Sequence, residues 1–255
     1  MPLSRNRMPY DLNLSNAAFS PMVPNGPLVI ISPHLDDAVF SCGSLLSHSA
    51  GSTVVTVFTG VPHEGGILTE WDRECGFLSA AEAMHAREAE DCRALEAIRC
   101  CGRSLGFIDC QYLEHPDHAM PALMESLLST VIDLAPGRVG IPLGLFHGDH
   151  LRVSEAALRV RQLLPDIAWF FYEDAPYRAH SGVVQARLVQ LYGRGMVLTP
   201  ACGQADLGSK EVAIAAYVSQ LKAFNGVPDD LRRPERYWHI EADVQVPSHA
   251  LPEGC

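Results

Sequence analysis

A histidine and two adjacent aspartates directly follow an apolar run in the first part of the chain. The run is LVII, and the segment SPHLDDAVFSCG that continues it contains His34, Asp36 and Asp37. Catalytic zinc is commonly held by three protein ligands drawn from His, Asp and Glu, which leave one coordination position for water. His34 and Asp37 could supply two of these ligands, and Asp36 then stays available as a general base. The segment therefore indicates half of a hydrolytic metal site.

A second segment, GLFHGDH, could supply the missing ligand. It places His147, Asp149 and His150 between the apolar run RVGIPL and a periodic helical stretch. Either of its histidines would complete a His₂Asp set with His34 and Asp37. Such a set leaves a zinc ion with a formal charge of about +1, which preserves its Lewis acidity. The residues alone do not choose between the two histidines, and Asp149 is also a suitable helix cap.

The chain contains a competing motif, HPDH, at residues 115–118. It follows FIDCQYLE and precedes AMPALMESLL, where Pro121 interrupts the helical pattern, so we expect it in a long polar connection. The motif HGDH at residues 147–150 instead lies between a predicted strand and a strongly periodic helix. We therefore place the metal site at HGDH and expect His118 to lie outside it.

Short β-branched or aromatic runs alternate with helical stretches, and this alternation predicts the elements that position the motifs. It predicts an α/β fold, a Rossmann-like and mostly parallel β-sheet with helices on both faces. In such sheets ligands bind outside the carboxyl ends of the strands, where both motifs are expected. The predicted strands are residues 27–32, 53–59, 105–108, 138–143 and 168–172.

Apolar periodicity and capping signals predict the helices. Ser79 followed by Glu82 is typical of a capping box, and it predicts a helix that runs to about Ile98. The apolar stripe that includes Val153 predicts a helix after HGDH, which stops at Pro165.

The length of 255 residues, without an obvious linker, fits one large α/β domain. We place this domain at residues 27–243, between an N-terminal extension at 1–26 and a C-terminal tail at 244–255. No apolar stretch approaches the roughly 18 residues that are needed to cross a bilayer. The first residues also lack the continuous apolar region of a signal peptide. We therefore expect no membrane span and a cytoplasmic location.

The charge of the chain restricts its partners. The formal net charge is −11, and the sequence contains no run of Lys or Arg. A nucleic-acid partner is therefore not expected, and a neutral or cationic small molecule fits better. The sequence does not indicate an oligomeric state.

Together, SPHLDDAVFSCGSLL and PLGLFHGDHLRVSEAAL resemble the PIG-L/LmbE family of zinc-dependent N-deacetylases. That family removes acetyl groups from N-acetylglucosamine units attached to lipids, thiol cofactor precursors or antibiotics. The resemblance runs from about Leu28 to Trp238 and includes an RxxE pattern, LGFID, YEDAPY and ERYW. The family usually reads PHPDDE, whereas this chain has Leu35 and Ala38 at two of those positions. Neither residue replaces a proposed ligand or base, so the departures indicate a branch of the family.

The resemblance implies a role for each motif residue and a substrate of the amino-sugar conjugate type. Asp36 matches the catalytic base, and His147 matches the histidine that assists the tetrahedral intermediate. Asp149 would orient His147. The implied zinc ligands are His34, Asp37 and His150.

Three further residues are weaker candidates for substrate binding: Arg87, Trp71 and Asp72. Each has a structural alternative. Arg87 and Glu90 could form a helical pair at i and i+3, and Trp71 could pack in the core.

Other classes of protein remain as alternatives. A nucleotide-binding oxidoreductase or methyltransferase would share the strand and helix rhythm, but the first strand is not followed by GxGxxG. A non-catalytic carbohydrate-binding homologue would have lost the site, whereas both motifs are intact here. Among hydrolases, an amidase acting on a sugar-thiol conjugate differs only in its substrate pocket.

Overall fold

The computed structural model describes residues 27–63, 66–113, 120–202 and 207–241. The N-terminal extension, the C-terminal tail and the HPDH motif lie outside the described residues. The domain boundaries and the exclusion of His118 from the metal site therefore stay predictions.

One seven-stranded sheet forms the centre of the fold. Its strands are β1 (Leu28–Ser32), β2 (Thr53–Thr56), β3 (Cys101–Ser104), β4 (Arg138–Pro142), β5 (Ala168–Tyr172), β6 (Leu198–Cys202) and β7 (Arg236–Ile240). Their order in space is β3-β2-β1-β4-β5-β7-β6. The first five strands pair in parallel, and β7 pairs antiparallel with both β5 and β6. The predicted α/β class with a mostly parallel sheet is confirmed.

The strand predictions succeeded in the centre of the sheet and failed at both ends, where β3 was misplaced and β6 and β7 were not predicted. Strands β1, β4 and β5 lie within the predicted ranges, and β2 is shorter than predicted. The predicted strand at 105–108 is wrong, because the strand that pairs with β2 is Cys101–Ser104 and the residues after it form a loop. All four residues of β3 are exposed, so this edge strand carries no apolar run that could identify it.

The helices of the described residues are α1 (Asp37–Ser47), α2 (Glu70–Cys75), α3 (Ala80–Ala97), α4 (Met120–Leu134), α5 (Gly148–Leu163), α6 (Val183–Gly193), α7 (Leu207–Ile214) and α8 (Val218–Ala223). Alternate residues of the strands face two separate apolar cores. Val29 and Ile31 belong to the core that includes side chains of α4, α5 and α6. Leu28 and Ile30 belong to the core that includes side chains of α1, α3 and α7. Helices therefore cover both faces, as predicted.

Ser79 begins α3, as the capping signal predicted. Its side-chain oxygen accepts a hydrogen bond from the amide of Glu82 at 3.1 Å. The reciprocal half of the box differs from the prediction, because the Glu82 carboxylate accepts from the amide of Leu78. Ser79 is thus confirmed as the N-cap, whereas the carboxylate of Glu82 bonds to the amide of Leu78 instead of the amide of Ser79.

The order of the strands reverses direction between β1 and β4. The chain moves from β1 to β2 and β3 on one side, and later continues through β4 and β5 on the other side. Such a switch point opens a crevice at the carboxyl ends of the two strands, where ligands bind in α/β sheets. The segments that carry His34 and His147 follow β1 and β4, so they meet at this crevice.

Across the described residues, no helix combines the length and the apolar composition required to cross a membrane.

Candidate metal centre

Asp37 lies between two histidines at the switch point. Its Oδ2 is 3.1 Å from Nδ1 of His34 and 3.1 Å from Nε2 of His150. The amide of His34 also donates to this oxygen at 2.9 Å, which fixes the carboxylate in place. His34 precedes α1, and His150 lies in the first turn of α5. The fold therefore brings together the three residues that the resemblance implied as ligands.

A buried carboxylate that the sequence analysis did not assign holds the other side of His150. Nδ1 of His150 lies 2.6 Å from Oδ1 of Asp174. Oδ2 of Asp174 accepts from the amides of Gly144 and Leu145 at 3.0 and 3.3 Å. This contact favours a proton on Nδ1 and leaves Nε2 available as a ligand. The available signal was position, because Asp174 follows β5 at the same edge of the sheet.

The chemistry of these side chains fits a divalent cation. Nε2 of His150 is buried, and it has no hydrogen-bond partner among the described residues. Burial alone would lower the pKa of His150, but the carboxylates of Asp37 and Asp174 outweigh burial and raise this pKa to about 9. Carboxylates that favour positive charge at this ring also favour a bound cation. Two imidazole nitrogens and a carboxylate oxygen form a donor set that suits zinc.

His34 is held on its far side by two further carboxylates. Its Nε2 lies 3.4 Å from Oδ2 of Asp109 and 3.5 Å from Oδ2 of Asp149. These carboxylates favour a proton on Nε2, which leaves Nδ1 free to face a metal ion. Asp109 is the last residue of the LGFID pattern, for which the sequence indicates no role. It comes from the loop after β3, at the same edge of the sheet.

Asp36 occupies the N-cap position of α1 with a φ of 138°. Positive φ is unusual for a residue other than glycine, and such strain costs about 1–3 kcal/mol. The side chain makes no capping hydrogen bond to α1, and it lines the cavity beside the metal centre. Burial and the neighbouring Asp37 carboxylate raise the pKa of Asp36 well above its usual range. The side chain of Asp36 therefore lines the cavity and does not cap α1.

The contact between His147 and Asp149 differs from the expected one. The backbone amide of Asp149 donates to Nδ1 of His147 at 3.3 Å, so the contact involves the amide of Asp149 and not its carboxylate. The carboxylate bonds to Arg152 at 2.8 Å and to the amide of Cys110 at 3.2 Å. The reason is that the first amides of α5 lack partners inside the helix, so His147 accepts one as its N-cap. With Nδ1 accepting, the neutral ring carries its proton on Nε2.

Arg87 reaches the cavity, but its partners are not those of a helical pair. It donates to Oδ1 of Asp72 at 2.7 Å and to the hydroxyl of Tyr112 at 2.9 Å. Arg87 lines the cavity, whereas Asp72 is fully buried behind it. The alternative of an i, i+3 pair is wrong, because Glu90 accepts instead from the amide and hydroxyl of Ser219. Arg87 can therefore contact a ligand directly, and Asp72 acts on it through Arg87.

Trp71 lines the cavity and is also anchored to the body of the protein. Its Nε1 donates to Oε1 of Gln220 at 3.0 Å, and its ring meets Phe224 edge to face at 5.0 Å. The two interpretations of Trp71 are thus compatible, because the half-buried ring packs on one side and forms a wall on the other. The cavity measures about 320 Å³.

Comparison with known proteins places the chain in a family. The family described as GlcNAc-PI de-N-acetylase, PIG-L, matches residues 29–186. A curated relative, 2'-N-acetylparomamine deacetylase from Streptomyces fradiae, is 29% identical over 192 residues, which are 68% of this chain and 65% of the relative. The chain thus matches slightly less than two thirds of that protein's length.

Solved structures share the fold at low sequence identity. Teicoplanin deacetylase in its zinc-inhibited form has a TM-score of 0.72 at 22% identity, over 84% of this chain and 98% of that chain. N,N'-diacetylchitobiose deacetylase from Pyrococcus horikoshii has a TM-score of 0.51 at 17% identity, over 81% of this chain and 72% of that chain. Since the family match spans more than half of the chain and includes both motifs, the protein belongs to the GlcNAc-PI de-N-acetylase, or PIG-L, family.

Proposed function

We propose that this protein is a metal-dependent N-deacetylase that hydrolyses the acetamide of an N-acetylglucosamine-type conjugate. One observation carries the proposal. Oδ2 of Asp37 lies 3.1 Å from a nitrogen of His34 and from a nitrogen of His150, while Asp36 and His147 line the adjoining cavity. The names of the relatives support it, because each describes a deacetylase.

His34, Asp37 and His150 would hold the metal, which we propose to be zinc. Bound zinc supplies Lewis acidity, which polarises an acetyl carbonyl and makes water a stronger acid. The carboxylates of Asp174 and Asp109 support the site by fixing the orientation of His150 and His34.

Asp36 serves as the general base in this mechanism. It lines the cavity directly beside the ligand Asp37, and its side chain is not used to cap α1. A carboxylate in this position takes the proton from the attacking water, and once protonated it can return that proton to the leaving amine.

His147 stabilises charge on the acetyl oxygen. Because the amide of Asp149 occupies Nδ1, the neutral ring donates from Nε2. A fixed donor aimed at an oxygen that gains negative charge favours the transition state over the substrate.

The charge of the cavity favours neutral or cationic substrates. Among the described residues that line it, Asp36 and Asp109 are carboxylates outside the proposed metal ligands, and the one arginine, Arg87, already pairs with Asp72. An amino-sugar conjugate is therefore a better electrostatic match than a conjugate that carries phosphate. The cytoplasmic location that the sequence predicts stays a prediction.

Metal analysis and acetate release together test the proposal. The purified protein should contain about one zinc per chain, or bind one after metal removal. It should release acetate from N-acetylated amino-sugar conjugates only when loaded with metal. A chelator should abolish the release, and added zinc should restore it. Full activity in metal-free protein, or full metal loading without hydrolysis of any conjugate in the panel, would contradict the proposal.

A further inference from the structure

Phe146 directly precedes His147 and is 70% exposed. Its φ is 62°, a conformation that bulky side chains rarely adopt. The amide of His147 donates to the carbonyl of Leu145 at 2.6 Å, so a tight γ-turn encloses Phe146. The turn directs the phenyl ring to the surface beside the cavity that His147 lines. Backbone strain that holds an apolar ring in water indicates a functional constraint at this position.

The ring of Phe146 joins two other aromatic rings in a stack. It lies 4.7 Å from the ring of His180 at an angle of 17°, and 5.6 Å from the ring of Tyr177 at 22°. Tyr177 lines the cavity and meets the ring of His150 edge to face at 5.0 Å. The stack thus leads from the metal centre to the surface. We define Phe146, Tyr177 and His180 as the aromatic platform.

The size of the cavity limits how much of a conjugate can enter it. At about 320 Å³ it lies near the lower end of the range for ligand pockets, about 300–1,000 Å³. One acetamido sugar fits such a space, whereas a second ring joined to that sugar extends beyond it. Because the acetamide has to lie next to His147, the second ring reaches the surface close to the neighbouring Phe146.

We propose that the aromatic platform binds the second ring of the substrate, a saturated ring that carries amino and hydroxyl groups. This inference rests on the proposed deacetylase function. Apolar C–H faces pack well on aromatic rings, and an ammonium group is attracted to an aromatic face. The carboxylates of Asp36 and Asp109, which are not proposed metal ligands, act in the same direction, because they favour a cationic ring over an anionic one.

The test compares one-ring and two-ring substrates in the zinc-loaded enzyme. The one-ring substrate is N-acetylglucosamine, and the two-ring substrate is an N-acetylated amino sugar joined to an aminocyclitol. Phe146→Ala should lower kcat/KM for the two-ring substrate about threefold to tenfold, in line with the strength of a single aromatic contact. It should change kcat/KM for the one-ring substrate less than about twofold, and Phe146→Trp should retain both activities.

A matched control is available in α6. Tyr192 is exposed to 78% and lies near the far end of that helix from His180, so Tyr192→Ala should leave both substrates unaffected. Equal losses of both substrates in Phe146→Ala would show that the residue only positions His147, and this would overturn the inference. Unchanged kinetics for both substrates would overturn it as well.

A binding measurement distinguishes failure of the platform from failure of the proposed function. Calorimetry should show that Phe146→Ala weakens binding of the free two-ring amine and leaves binding of glucosamine unchanged. If the wild-type protein releases no acetate from either substrate, the deacetylase proposal fails, while this binding difference still supports the platform. If both amines bind equally to wild type and variant, the platform is refuted.

Discussion

Nδ1 of His150 and Oδ1 of Asp174 lie 2.6 Å apart, and both side chains are buried. The opposite nitrogen of the ring faces Asp37 at 3.1 Å. The imidazole is thus held between a carboxylate that orients it and a carboxylate with which it can share a metal ion. This pair links the loop after β5 to the first turn of α5.

The first prediction concerns this contact. Asp174→Asn should weaken zinc binding about 10- to 100-fold, because the amide does not hold the proton of His150 on Nδ1 as a carboxylate does. Competition with a chromogenic chelator would measure the change in Kd. Glu173→Gln is a suitable control, since the neighbouring carboxylate bonds instead to Nε1 of Trp238. Equal affinity in wild type and Asp174→Asn would exclude a supporting role for Asp174.

The second prediction distinguishes the two HxDH motifs. His150→Ala should remove most of the bound zinc and the activity, because one of three proposed protein ligands is lost. His118→Ala should leave the metal content and the activity largely intact. Elemental analysis of both purified variants measures the metal directly. The opposite pattern would move the site to HPDH.

The third prediction separates catalysis from metal binding at Asp36. Asp36→Asn should keep the fold and the metal and lower turnover by a factor on the order of 10²–10⁴, because the amide accepts no proton from water. Zinc content and initial rates should be measured on the same preparation. Parallel loss of zinc and activity would make Asp36 a ligand, and near-normal turnover would remove it from the mechanism.

The fourth prediction follows from the separate contacts of His147 and Asp149. His147→Ala should lower kcat by a factor on the order of 10²–10³, as loss of a transition-state donor does. Asp149→Asn should mainly weaken zinc binding, because its carboxylate lies 3.5 Å from Nε2 of His34. Since the two side chains act on different steps, their effects on kcat/KM at limiting zinc should multiply in a double-mutant cycle. A double variant no worse than His147→Ala would restore the view that the Asp149 carboxylate acts through His147.

The fifth prediction concerns the pH dependence of stability. Burial raises the pKa of Asp91 to about 6, although the hydroxyl of Tyr217 donates to it at 2.6 Å. The unfolded value is about 3.9, so the folded state binds more protons between about pH 4 and pH 6. In this range the contribution of Asp91 to stability decreases as the pH rises, and above pH 6 the full cost of the buried charge remains.

Asp91→Asn removes that charge and keeps an oxygen that can accept from Tyr217. The free energy of unfolding of Asp91→Asn minus that of wild type should therefore increase from about pH 4 to pH 6, in favour of the folded variant, and stay constant above pH 6. Tyr217→Phe should raise the pKa of Asp91 further, because the lost hydrogen bond stabilised the ionised carboxylate. The pH range in which stability depends on Asp91 should then extend to higher pH. Urea unfolding at several pH values measures both effects. A pH-independent difference between Asp91→Asn and wild type would show that Asp91 keeps its ordinary acidity.

Much of the fold and part of the candidate site were predictable because their signals are local. Strands β1, β4 and β5 are short and mostly apolar, and the polar side chains after β1 and β4 lie where α/β sheets bind ligands. The motifs around His34 and His147 therefore identified the family from the sequence. Strands β6 and β7 were missed, because they pair antiparallel at an edge and lack long apolar runs.

Only the tertiary structure decided which polar atoms meet. Asp174 and Asp109 lie far in sequence from His150 and His34, and their roles depend on the parallel alignment of strands that places their loops at one edge. The partner of His147 likewise depends on helix geometry, because the free first amides of α5 provide a donor that the residue types alone do not reveal. The sequence by itself thus determined the fold class, the family and the residues available for chemistry. The packing of the sheet determined their partners, since hydrogen bonds and metal sites require atoms to approach within a few ångströms.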